Sequence, residues 1–120
     1  MKIAVETTDG VKLDSPFSLL QNFIVYEVDD KNKPKDFSFA GSKTGNKRQI
    51  RVIGRISDAQ NMFKEIGDCS TVISHSLDRK MLNTLKRSGV EVYITFKNKI
   101  EDAIGQYFRD KMIHEFVGNN

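Results

Sequence analysis

The order of local patterns in this sequence predicts an α/β protein, a mixed β-sheet with helices on both faces and three layers in all. Three observations lead there. Residues 68–96 read as strand, turn, helix and strand, the unit that joins two parallel strands through a crossover. Two short apolar runs, at 2–7 and 23–28, have strand length and composition. Apolar residues recurring at helical spacing after Ser57 and after Asn98 supply further helices.

Taken in order, the first strand places Ile3 and Val5 on one face, with Ala4 small enough for a second buried face. Thr8-Asp9-Gly10 is turn chemistry, and Val11 and Leu13 suggest a short return piece. A polar stretch containing Pro16 leads to the second strand at 23–28. A charged turn at 29–34 then precedes alternating Phe37 and Phe39, predicting a third strand at 36–40 antiparallel to the second. Residues 41–54 read as a basic loop. Its GSKTGNK resembles a phosphate loop, but three residues separate the glycines and none directly precedes Lys47, so the cradle spacing is missing. Ser57 to Gln60 forms a capping box for a helix whose stripe is Ala59, Met62, Phe63 and Ile66.

The central unit follows. Residues 69–73 suit a strand buried on both faces, and Ser76 is placed to cap a helix carrying Leu77, Met81, Leu82 and Leu85 on one side. Gly89 ends it. The next strand, 90–96, sets Val90, Val92, Ile94 and Phe96 against Tyr93 and Thr95. Ile100, Ala103, Ile104, Tyr107 and Phe108 then mark a core-facing helix. The tail at 112–117 is apolar enough to dock, as helix or as strand.

In 120 residues this order fits a single domain over 1–120. No apolar run approaches the roughly 20 residues of a membrane span, and the first ten residues do not form an export signal. With one cysteine no internal disulfide is possible, and a reducing cytoplasm is the expected setting. The net charge of +3 is too small to indicate nucleic acid. It is also local. Lys43, Lys47, Arg48, Arg51 and Arg55 lie in a stretch without an acid, and the remaining basic residues are outnumbered by the 16 acidic ones. That pattern points either to an anion-binding loop or to a solvated insertion.

In parallel sheets ligands sit beyond the carboxyl ends of strands, which here means Ser74-His75-Ser76. His75 reads as a metal ligand or as a turn histidine bonding backbone groups. Cys69, at the other end of its strand and beside Asp68, reads as a small packing residue. Phe17 with Leu19 and Leu20 either lines a pocket or covers the core. Catalysis by paired metal ions needs several converging carboxylates. Glu6, Asp9 and Asp78 do not supply them, so no enzyme is expected.

MKIAVETTDG, FIVYEVDD, DCSTVISHSLDRKMLNTLKRSGVEVY and IEDAIGQYF, in that order, resemble the nitrogenase accessory-factor family, proteins of iron–molybdenum cofactor biosynthesis and binding. The likeness spans nearly the whole chain apart from the basic loop and tail, and rests on a series of short patterns. It implies a ribonuclease-H-like fold. It also implies binding of iron–molybdenum cofactor or its iron–sulfur precursor, and nitrogenase-assembly or other cluster-receiving proteins as partners. Two departures stand out. Of the family's His-Phe-Gly-Arg signature only Phe17 remains, with Pro16 in the histidine's place and Ser18 and Leu19 following. The glycine-rich turn after the Asp-Cys strand is replaced by Ser-His-Ser-Leu-Asp, which offers His75 as a substitute ligand.

The reading is therefore a non-catalytic carrier for a metal–sulfur cluster or related anionic group, with neither membrane nor nucleic acid expected as a partner. His75 would be the metal ligand. Thr8, Ser15 and Phe17 from the first loop, Ser74, Ser76 and Arg79 from the second, and Lys43, Lys47 and Arg48 from the basic loop would complete the binding site. The alternative is a protein- or nucleic-acid-interaction module that uses basic residues 43–55 on the same scaffold.

Overall fold

The computed structural model describes residues 1–15, 22–28, 47–54 and 59–118, without the side chains of 59 and 114–118. Its elements are β1 (Lys2–Glu6), β2 (Phe23–Glu27), β3 (Arg48–Ile53), α1 (Ala59–Ile66), β4 (Thr71–Ser74), α2 (Arg79–Arg87), β5 (Glu91–Ile94) and α3 (Ile100–Gly118). The five strands form one sheet in the order β3-β2-β1-β4-β5. β1 is antiparallel to β2 and β2 to β3, whereas β1, β4 and β5 run parallel. The expected α/β architecture with a mixed sheet is present, and the crossover helix does join parallel strands.

The pleat sorts side chains into two cores. Ile3, Val5, Ile24, Tyr26 and Ile73 face α3, which contributes Ile100, Ala103, Ile104, Tyr107 and Phe108. Ala4, Phe23, Val25 and Val72 face the opposite way, against Met62 and Ile66 of α1 and Met81 and Leu85 of α2. Both faces of β1 are thus fully covered, as central strands with near-continuous apolar sequence require. The stripe expected on α3 is buried at every position, and the helix continues through the tail to Gly118.

Several local expectations need correction. β3 lies inside the stretch read as a loop. RQIRVI looked like loop sequence because of its arginines, but an edge strand exposes one side, and charges there discourage unwanted pairing. The expected strand at 36–40 and the capping residues Ser57 and Asp58 lie outside the described residues. α2 begins at Arg79 with Asp78 as its N-cap, not at Ser76, because Ser74 Oγ engages the Ser76 amide and carbonyl and holds that residue in a turn. β4 begins at Thr71, with Cys69 buried just before it. On β5, apolar packing reaches only Val92, leaving Ile94 46% and Phe96 95% exposed.

Arg51 fastens the β3 edge. Its guanidinium grips Asp68 through both nitrogens, at 3.1 and 2.9 Å, and donates to the Glu65 carbonyl at 2.7 Å. Lys2 adds a bond to Asp68 at 3.1 Å. The Arg51 hydrogen bond, with Lys2, holds the Asp68 carboxyl well below the usual carboxylate range. A depressed folded-state pKa means stabilisation that is present above the unfolded value, about 4, and lost as acid protonates the group. Both partners are partly exposed, so Arg51→Ala is expected to lower stability by only about 1 kcal/mol at neutral pH. In urea denaturation the gap between variant and wild type should narrow steadily as pH falls below about 4. An unchanged gap in acid would show that the ion pair is not its source.

Candidate functional site at the carboxyl rim

Because β1, β4 and β5 are parallel, their carboxyl ends share one edge, and three connecting segments meet there. The first is the loop after β1. Asp9 Oδ1 accepts the Val11 and Lys12 amides at 2.8 and 2.9 Å, an Asx-type turn closed by Gly10 at a φ of 77°. The Lys12 and Val11 amide bonds hold the Asp9 carboxyl below its ordinary value. Thr8 gives both its amide and its hydroxyl to Asp14, each at 2.9 Å, and accepts from Asn22 at 3.0 Å. The loop then leans on the entry to α3, where Leu13 N–H meets the Asn98 carbonyl at 2.8 Å and Lys12 bridges Lys99.

The second segment follows β4. Ser74 is fully buried, and its Oγ lies 2.5 Å from Glu6 Oε1, 2.8 Å from the Ser76 carbonyl and 3.0 Å from the Ser76 amide. Glu6 is itself only 5% exposed. Burial pushes its carboxyl up to about 7, opposed by the Ser74 bond and assisted by Asp14. Proton bookkeeping links the two groups. Ser74 has one proton for two acceptors. With Glu6 protonated, the acid donates to Ser74 and Ser74 donates to the Ser76 carbonyl, so all three contacts are made. With Glu6 ionised, Ser74 turns to the carboxylate and gives up the carbonyl. The charge state of Glu6 therefore reaches the turn that carries His75.

His75 is half-buried, and its Nδ1 lies 2.8 Å from the Thr95 carbonyl. A carbonyl only accepts, so Nδ1 carries a proton, and Nε2 is the nitrogen left to act as a metal donor. Metal-binding imidazoles are commonly oriented by such a backbone bond on the other nitrogen. Thr95 is held in turn, its hydroxyl bonding Gln106 at 2.8 Å and accepting the Lys97 amide at 3.1 Å.

The structure brings together Thr8, Ser74, His75 and Ser76 at this edge, with exposed Ser15 and with Arg79 at the start of α2. Phe17 and Lys43 lie outside the described residues. Lys47 and Arg48 are elsewhere. Arg48 pairs with Glu27, whose partner on β1 is Lys2, at the opposite end of the sheet from Ser74. Strand rise and spacing put its backbone about 20 Å from the rim. The Lys47 ammonium rests over the Tyr26 ring at 4.9 Å. The cations at the rim that sequence reading passed over are Lys12 and Lys99, visible in retrospect as charges just beyond a β-turn and a strand end. Glu6 is weighed in the sequence only as a candidate catalytic carboxylate; its burial and its bond to Ser74 are not foreseen, because a carboxylate closing a strand does not announce its burial. Among the described residues no three histidine, cysteine or acidic side chains gather as a metal cage.

A family model described as dinitrogenase iron-molybdenum cofactor matches residues 1–110. The solved structure reported as the crystal structure of PH0822 is similar, with a TM-score of 0.64 and 13% identity over 92% of each chain, a likeness of fold alone. No curated protein matches the sequence.

Glu6 offers a test of the rim's chemistry. Its folded pKa near 7 exceeds the unfolded value of about 4.3. The folded state then binds the proton more tightly, so stability is full below the unfolded value and falls as pH rises through 7. Glu6→Gln, neutral throughout, should be more stable than wild type by on the order of 2 kcal/mol at about pH 8 and equal to it near pH 4. Parallel pH profiles in chemical denaturation would refute the assignment.

Proposed function

Because this chain belongs to the dinitrogenase iron-molybdenum cofactor family over residues 1–110, we propose that it is a non-catalytic carrier for that cofactor, its iron–sulfur precursor or a related anionic metal cluster. The observation that carries this reading is the anchored imidazole. His75 is aimed by the Thr95 carbonyl, at the edge where parallel strands end. One protein ligand at an open rim suits cargo that must be handed on, since a closed cage of ligands would retain it.

The surrounding charge supports an anionic cargo. Lys12 and Lys99 face each other across an isolated bridge, an arrangement that repulsion disfavours by about 0.2–1 kcal/mol unless an anion lies between them. Asp78 makes no side-chain cap bond to α2, leaving the first amides of that helix to bond at the same rim. We read the scaffold as ribonuclease-H-like, in keeping with a mixed sheet in which β1 is central. Partners would be the proteins that deliver and receive the cluster. Among the described residues no helix is long and apolar enough to cross a membrane. The alternative use of residues 43–55 as a contact surface is weakened by Arg51, which is committed to Asp68.

Anaerobic mixing with isolated cluster, followed by desalting and metal analysis, tests the proposal. Wild type should retain iron with visible absorption, and His75→Ala should lose most of it. Lys12→Gln with Lys99→Gln should weaken retention in a salt-sensitive way. A His75→Ala protein that holds the same metal as wild type would sink the carrier reading at this site.

A further inference from the structure

β3 and β4 both run parallel to β1, so α1 and α2 each return from the carboxyl rim to the opposite end of the sheet. They lie side by side on one face, where Met62 and Ile66 of α1 share a core with Met81 and Leu85 of α2. The outer side of α2 is unusual. Its nine residues include Arg79, Lys80, Lys86 and Arg87 and no acid. All four cations are exposed, and none forms an ion pair with a described residue. The helix dipole favours Lys86 and Arg87 in the last turn, but it opposes Arg79 and Lys80 in the first. Surface helices offset such charges with acids three or four residues away. Here those positions hold Leu82, Asn83 and Thr84. Charges kept against the dipole and without a partner break a local rule, and such breaks gather at functional surfaces.

A second observation adjoins the first. Between the two helices runs a groove of about 330 Å³, lined by Gln60, Phe63, Thr84, Arg87 and Ser88. Phe63 belongs to the apolar stripe of α1, yet it is 49% exposed. Helical spacing puts Lys80 on the same side of α2 as Arg87, two turns and about 10.5 Å away, with Thr84 between them. Lys64, one turn beyond Gln60, adds a cation on the α1 bank. Among the described residues no acid lines the groove.

We propose that this groove docks an acidic amphipathic helix of a partner protein, with an apolar side chain over Phe63 and carboxylates on Lys80, Arg87 and Lys64. The spacing of the cations fits a helix, whose side chains seven residues apart share a face at the same separation of about 10.5 Å. An extended segment repeats on one face every ~6.6 Å and would match one of the two cations on α2 but not both. A nucleic-acid duplex would engage the cations through its phosphates and leave the phenylalanine uncovered. α2 begins at the rim just after the His75 turn, so a partner lying along it has one end beside the candidate ligand. On the carrier reading, that is where a protein delivering or receiving the cluster must sit. The groove does not depend on that reading, because none of its lining residues belongs to the rim.

Fluorescence anisotropy on the full chain with three labelled probes tests the proposal. The first is a synthetic helical peptide of about 20 residues, with leucines along one stripe and glutamates seven residues apart beside it. The second has the same composition with its glutamates moved to the opposite face. The third is a single-stranded oligouridylate of equal charge. The first peptide should bind most tightly, and its comparison with the second needs no variant. Lys80→Glu with Arg87→Glu should weaken that binding roughly tenfold. Phe63→Ser should weaken it roughly threefold, with circular dichroism showing that both variants are folded. Lys97→Glu, an equal charge change outside the groove, should alter it by less than about twofold. No binding of the first peptide, equal binding of the second, preference for the oligouridylate, or indifference to Phe63→Ser would overturn the proposal. Iron retention by wild type and His75→Ala is measured without these probes, so either reading can fail alone.

Discussion

Parallel pairing of β1 with β4, running from Ile3 opposite Thr71 to Val5 opposite Ile73, decides where each loop can go. Antiparallel neighbours would send their connections to opposite ends. Here the carboxyl ends of β1, β4 and β5 are brought level, and the segments that leave them converge. The polar contacts between neighbouring strand ends depend on that alignment: Glu6 reaches Ser74 because their strands end on the same rung, and His75 reaches the Thr95 carbonyl because β5 ends one strand further on.

The two apolar cores make this alignment rigid. α3 covers one face and α1 with α2 the other, so a slip of one residue in β1 or β4 would exchange the buried sets and expose both. Against that fixed background a single proton on Glu6 has a defined effect, since the Ser74 hydroxyl and the turn beyond answer to it. At the far end of the sheet, the Arg51–Asp68–Lys2 cluster ties the β3 edge to β1 and to the segment before β4. The two charged sites therefore differ in kind. One binds the sheet together, and the other sits where the sheet opens.

How far the sequence revealed this depended on the physical signal. α3 was legible because five apolar residues repeat at helical spacing, and each is buried. The crossover unit was legible because strand, helix and strand each had their own period. β3 was not, because charges on an edge strand imitate a loop, and the arginines that suggested an anion site include one that serves as a structural clamp. The start of α2 was misplaced by a serine side chain, Ser74, whose bonds to Ser76 no one-dimensional capping rule contains. At the rim, Thr8, Ser74 and His75 could be nominated from strand ends alone. The Thr95 carbonyl could not, since a backbone acceptor leaves no trace in residue identity.

That last contact has a bearing on how the protein can change over time. The group that orients the imidazole is main chain, so any residue able to continue the ladder at position 95 would provide it. Substitution there alters packing against Gln106 but cannot delete the acceptor. The donor geometry of this histidine is thus inherited from the architecture, and it would persist through extensive drift in the surrounding side chains for as long as the two strands stay side by side.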